Sequence, residues 1–196
     1  MDAGSGIAGD FGSAIGFAVV SDRQNEIYDK KRGIFLAKKE EKTNVMRLLE
    51  QHKINYNHFC YVETGMTNGV EIAEFMGQDK AKVFKTLVTI APKSKTNYVF
   101  VIPVAEELDL KKAAKAVGEK SIEMIKQKDL LPLTGYIHGG CSPIGMKKTF
   151  HTIVQESAKD FDTIFFSGGK VGYQVEVAPG DLEKMVRIEY ADVICE

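Results

Sequence analysis

Tryptophan is absent from the 196 residues, proline occurs only five times, and three cysteines stand far apart at 60, 141 and 195. These scarcities exclude several classes. Three distant cysteines with no Cys-x-x-Cys or Cys/His spacing form neither a disulfide framework nor a zinc site. They predict reduced thiols and a cytoplasmic protein. Four histidines, at 52, 58, 138 and 151, lack the spacing of metal-binding pairs. No metal and no cofactor is therefore expected. No apolar run approaches the roughly 18–20 residues of a membrane helix, so no membrane partner is expected either. An excess of one charge is also lacking. The net charge is −1, which predicts no polyanion partner for the chain as a whole.

The distribution of charge says more than its sum. Between Lys80 and Lys148 there are thirteen lysines and six acidic residues, a segment charge of +7 against −8 elsewhere. A basic middle beside acidic flanks suits one face that meets phosphates, and also suits lysines on solvated helix faces. Residues 1–42 read as a glycine-rich leader or extension, poorly ordered or carrying one weakly packed element. Five glycines fall in the first sixteen positions, and no basic start precedes the run AIGFAVV. Regular patterning begins at Thr43, so residues 43–196 are predicted to form one domain.

Within that domain helices are expected over 43–49, 70–76, 109–117 and 181–186, with a helical turn at 129–133. Strands are expected at 55–62, 83–90, 98–104, 149–154, 163–167, 173–178 and 187–194, with a short one at 121–125. Gly77 suits a left-handed C-terminal position, Asp109 an N-cap, and Pro103 a strand end or an edge. The elements interleave without βαβ repeats. That predicts α+β architecture with a mixed, barrel-like sheet flanked by helices.

Three stretches could carry chemistry. In KVFKTLVT, Lys85 opens an apolar strand, where partial desolvation would make its ammonium a strong local charge for a carboxylate, phosphate or oxyanion. A surface lysine at an element boundary is the other reading. In GYIHGGCSPIGMKK, residues 135–148, Gly139 and Gly140 can take positive φ and present backbone N–H groups, while Ser142 and Pro143 shape the loop. A long turn would need the same glycines. Cys141 has no base fixed beside it, since His138 lies on the same loop, and reads as a small buried thiol. In FFSGGKVG, residues 165–172, Ser167 precedes two glycines and Lys170. The spacing is not that of a P-loop, and the stretch is a hairpin turn or a second pocket wall.

Together KVFKTLVT, LDLKKAAKAVG, TGYIHGGCSPIGMKK and FFSGGKVGYQVEVAPGDL resemble, in order and spacing, the YbaK/EbsC family of single-domain aminoacyl-tRNA deacylases. That family is related to the editing domain of bacterial prolyl-tRNA synthetase. The likeness runs from Thr43 to Ile194 and leaves the leader without a counterpart. It implies a YbaK-type fold and trans-acting editing of Cys-tRNA(Pro), extending to Cys-tRNA(Cys), in partnership with prolyl-tRNA synthetase. Editing is needed where pocket size cannot separate near-isosteres. A sister activity on Ala-tRNA(Pro) and a non-catalytic module that binds tRNA or the synthetase are the alternatives. The resemblance assigns catalytic roles to Lys85 and Gly139. It assigns substrate contacts to Tyr61, Thr86, Gly140, Ser142, Pro143 and Ser167. It implies that the substrate's own thiol attacks its ester. Two departures stand out: Thr67-Asn68 runs into Gly69 where an aromatic residue is frequent, and Gln174 stands where an acid can occur.

Overall fold

The computed structural model of the protein describes residues 42–195 and two strands before them, β1 (Glu26–Asp29) and β2 (Ile34–Ala37). These two pair antiparallel, with Glu26 opposite Ala37. The rest of the expected leader lies outside the described residues.

From Lys42 onward the chain is one compact unit. It opens with α1 (Asn44–Gln51), capped by Thr43, whose Oγ1 accepts from the Met46 N–H at 3.3 Å. This cap and the spacing of Val45, Met46 and Leu49 make a helix with one buried face. Next come β3 (Asn57–Cys60), a 3₁₀ turn at Val62–Thr64, and α2 (Gly69–Phe75). Asn68 caps α2, and Gly77 sits at φ +64° two residues beyond its end.

The long strands β4 (Phe84–Ile90) and β5 (Asn97–Pro103) form an antiparallel pair. Then follow α3 (Leu110–Ala116), the two-residue β6 (Glu123–Met124) and α4 (Gln127–Thr134). Finally come β7 (His151–Gln155), β8 (Ile164–Ser167), β9 (Tyr173–Val177), α5 (Pro179–Met185) and β10 (Ile188–Ala191).

Five strands make a mixed sheet in the order β10-β7-β5-β4-β6, in which β7 runs parallel to both neighbours. A second, antiparallel sheet has the order β3-β9-β8. A bridge between Val83 and Phe165, with the Phe165 N–H donating to the Lys82 carbonyl at 2.8 Å, joins the start of β4 to β8. The expected mixed, barrel-like arrangement is thus two sheets that meet along β4 and β8.

Core residues explain the arrangement. Phe84, Val88, Val99, Val101 and Val154 of the first sheet face Phe166, Val175 and Val177 of the second, with Leu49 and Leu182 from helices. Phe100, Ile102 and Ile153 point to the opposite face, beneath Ala113 and Ala114 of α3. Strand β5 is covered on both faces, which is why it reads as a continuous apolar run. Pro103 ends this central strand and does not mark an edge. Two elements differ from expectation. Pro179 and Gly180 form the first turn of α5 instead of preceding it, since proline loses nothing at a helix start. The turn at 129–133 is an eight-residue helix, despite Pro132 inside it. Among the described residues no helix is long and apolar enough to cross a membrane.

Candidate active site

The glycine-rich stretch after α4 is a closed loop. The Lys147 N–H donates to the Thr134 carbonyl at 2.9 Å and joins its ends. Inside it, the Tyr136 hydroxyl donates to the Ile144 carbonyl at 2.6 Å, and the Tyr136 N–H donates to Thr134 Oγ1 at 3.0 Å. Burial, then the nearby Cys141, pushes the Tyr136 phenol up to about 12. It therefore stays protonated and keeps donating. Such a loop, pinned at its mouth and waist, is a rigid Ω-type structure.

The individual loop residues separate into different parts. Gly139 has φ +78° and is half-buried, and its N–H has no hydrogen-bond partner among the described residues. Gly140 differs from the expectation of paired positive-φ residues. Its N–H donates to the Ile137 carbonyl at 3.0 Å, and its φ is not positive. It is glycine because of a close approach: a Cβ there would lie 3.1 Å from the Val171 nitrogen and 3.3 Å from the Lys170 carbonyl carbon. Ser142 is fully buried, with Oγ accepting from the Ile144 N–H at 3.4 Å, and Pro143 is buried beside it. Cys141 is 9% exposed, and burial pushes its thiol up to about 12. A thiol so placed stays protonated near neutrality and is a poor nucleophile.

Three segments meet at this loop. The turn between β8 and β9 is held by the Gly168 N–H on the Tyr173 carbonyl at 2.9 Å and by Gly169 N–H on Ser167 Oγ at 3.2 Å. Its Lys170-Val171 backbone lies against Gly140. The Tyr61 N–H donates to the Gly172 carbonyl at 2.8 Å, which brings the end of β3 to the same place. Tyr61 is itself buried, and that burial raises its phenol pKa. Thr67 completes the junction, with side-chain carbons 3.7 Å from where a Gly139 Cβ would sit.

Lys85 reaches the junction indirectly. It is half-buried, and its Nζ donates to the Val104 carbonyl at 3.0 Å. Burial lowers its pKa, with Glu107 and Glu106 acting the other way. The Val104 side chain fills the space over Gly69, where a Cβ would come within 2.6 Å of it. Gly69 follows Thr67-Asn68, so Lys85, Val104, Gly69, Thr67 and Gly139 form a continuous path. Thr86 is not on it. Alternation along β4 sends Thr86 to the Phe84 and Val88 side and Lys85 to the Ile102 side. Its Oγ1 is buried with no hydrogen-bond partner among the described residues. The two lining residues not singled out from sequence, Val104 and Val171, are apolar and carry no motif. Tyr136, which latches the loop, carries no motif either, because its role depends on burial and on the Ile144 carbonyl eight residues away.

Gln174 is buried, and its Oε1 accepts from Gln78 Nε2 at 2.8 Å. A neutral amide pair therefore occupies the place where an acid can occur. Among the described residues no three His, Cys, Asp or Glu side chains gather to hold a metal ion.

Two joined sheets with two glycine turns packed on each other, and a half-buried lysine linked to them through Val104 and Gly69, make the frame of an editing domain. Residues 64–185 match the family model described as the aminoacyl-tRNA editing domain, and the chain belongs to that family. A relative from Enterococcus faecalis, named as a candidate Cys-tRNA(Pro)/Cys-tRNA(Cys) deacylase, EbsC, is 46% identical over 158 residues. The match spans 80% of this chain and 95% of the relative. Two crystal structures share the fold. Hypothetical protein APE2540 has a TM-score of 0.71 at 19% identity, over 78% of this chain and 100% of that one. A candidate trans-editing enzyme for prolyl tRNA synthetase has a TM-score of 0.66 at 21% identity, over 79% and 99%.

Proposed function

We propose that residues 43–196 are a trans-acting editing domain that deacylates Cys-tRNA(Pro), extending to Cys-tRNA(Cys), with residues 1–42 an extension outside the catalytic unit. The observation that carries this reading is the 46% identity over nearly the whole length of the EbsC relative. The reaction is placed in the cytoplasm, where prolyl-tRNA synthetase produces the mischarged substrate and is the partner.

The reaction needs no nucleophile from the protein. The cysteinyl sulfur attacks the carbonyl carbon of its own ester. A C–S bond forms, the ester C–O bond breaks, and the thiol proton ends on the released tRNA hydroxyl. The cyclic thioester product is then opened by water. The protonated Cys141 leaves that role to the substrate. The unengaged Gly139 N–H is the donor for the carbonyl oxygen as it gains charge. One such donor contributes roughly 3–4 kcal/mol elsewhere. Lys85 supplies positive charge, since its bond to Val104 uses one of three ammonium donors and leaves two for the ester or terminal adenosine. Tyr61, Gly140 and Ser167 line or brace the walls. Ser142 and Pro143 act through the loop's shape, and Thr86 from the opposite side of β4.

The test is ester loss from Cys-tRNA(Pro), Cys-tRNA(Cys), Ala-tRNA(Pro) and a Cys-tRNA(Pro) whose thiol is methylated, each with and without prolyl-tRNA synthetase. The two cysteinyl esters are expected to disappear, and the methylated one to persist. Preferential loss of the alanyl ester would overturn both the specificity and the thiol mechanism. Salt-sensitive tRNA binding with no ester loss would instead make the protein a binding module.

A further inference from the structure

The far flank of the glycine loop opens on a separate hollow. Residues 143–146 wall a cavity of about 250 Å³ between α1 and the end of α5. Its apolar lining includes Met146, Phe150 and Met185, and Lys148, Arg187 and His52 stand at it. No acidic residue lines it. Lys148 and Arg187 are exposed, and neither joins an ion pair among the described residues. Two cations with no ion pair among the described residues, at a mixed hollow that also offers methionine side chains, suit one ligand chemistry: an unstacked base attached to a phosphate. The volume falls below the roughly 300–1,000 Å³ of pockets that hold drug-sized ligands, so it suits one base and not a larger group.

The position is equally specific. Pro143 is four residues from Gly139, so the two lie within about 14 Å of each other along the chain. Whatever enters the hollow is therefore close to what sits at Gly139. We infer that this hollow takes one unstacked nucleotide of the tRNA 3′ end, on the 5′ side of the aminoacylated adenosine. Its base lies against Met146 and Met185, above the buried Phe150, and its phosphates meet Lys148 and Arg187. The inference rests on the editing reading for the identity of the RNA. The single-stranded end of a tRNA has bases free to stack on protein, and each such contact weighs about 1–3 kcal/mol, from roughly fivefold to over a hundredfold in affinity. The loop then measures the 3′ end from both flanks.

The experiment uses the full chain and uncharged tRNA(Pro), with binding followed by fluorescence anisotropy. An abasic position is placed at either of the two nucleotides before the terminal adenosine. The wild-type protein is expected to bind one of the two abasic tRNAs about tenfold more weakly than intact tRNA. The double variant K148E/R187E is expected to bind intact tRNA at least tenfold more weakly and to lose the dependence on that base. The salt slope should fall by about 1.4, at roughly 0.7 per phosphate contact on a single strand. A Lys148→Arg variant should bind as wild type does. Equal weakening of intact and abasic tRNA by the double variant would overturn the inference, as would wild-type indifference to both abasic positions. Base-dependent binding without ester cleavage would overturn the deacylase reading alone.

Discussion

Gly140→Ala tests the junction of the two glycine turns most directly. The added methyl would sit 3.1 Å from the Val171 nitrogen and 3.3 Å from the Lys170 carbonyl carbon. Both neighbours are backbone atoms and cannot rotate away. The turn that carries them is held by the Tyr173 N–H on the Lys170 carbonyl at 3.1 Å and by Tyr61 on Gly172 at 2.8 Å. Relief requires the loop and turn to separate by a few tenths of an ångström. Overpacking of this kind costs about 1–3 kcal/mol. The loss of glycine freedom in the unfolded chain offsets about 0.4–1 kcal/mol. The net cost, about 0–2.6 and centred on about 1.3 kcal/mol, corresponds to a melting temperature lower by roughly 3–5 °C in a domain of this size. The rate should fall as well, because an ångström of misplacement can cost about a hundredfold, and a few tenths therefore roughly three- to sixfold. Calorimetry and single-turnover deacylation of Cys-tRNA(Pro) measure the two effects. Gly139→Ala is the contrast: the space is open at 3.7 Å, but φ +78° strains any side chain by about 1–2 kcal/mol. A Gly140→Ala protein with wild-type melting and wild-type rate would refute the close approach.

Lys85→Ala should cut the deacylation rate at least tenfold, more than about 1.4 kcal/mol of barrier, in a protein that still melts cooperatively. Because burial lowers the Lys85 pKa, the wild-type rate should fall with rising pH before an ordinary lysine would discharge; a flat alkaline limb would remove its charge from the mechanism. Tyr136→Phe leaves the Ile144 carbonyl without its donor, a loss of about 1–3 kcal/mol readable by denaturant unfolding. Folded Cys141 and Tyr136 hold protons that the unfolded chain releases near 9 and 10, both rising to about 12 on folding. Stability should therefore be complete below pH 9 and decline above it, by at most about 1.4 kcal/mol per unit and group. Cys141→Ala should flatten the first part of that decline.

Much of the frame was legible in the sequence because each signal had a local cause. Asp109 and Thr43 cap helices whose apolar faces follow them directly. The run YVFVIP reads as a strand, and the structure shows it central and covered on both faces, with Pro103 at its end and not at an edge. The helix at Gln127–Thr134 was harder to see, because only Thr134 among its residues is buried and Pro132 interrupts it. At the site, residue type and spacing pointed to Lys85 and the glycine pair. They could not separate Gly139, which needs its backbone angle, from Gly140, which needs to be small. That distinction depends on Val171, thirty-one residues away in the chain. The opposed facing of Lys85 and Thr86, in contrast, follows from strand alternation and was available from the start.

The buried thiol of Cys141 has a consequence for an enzyme whose proposed substrate brings a thiol of its own. A thiolate beside a cysteinyl ester could attack its carbonyl carbon, so that a C–S bond forms as the ester C–O bond breaks, the tRNA leaves with its hydroxyl and the amino acid stays on the protein. Attack of that kind needs a thiolate and an open path to the ester. Folding withdraws both from Cys141, so the cysteine next to Gly140 can share a loop with cysteinyl substrate and stay chemically silent toward it.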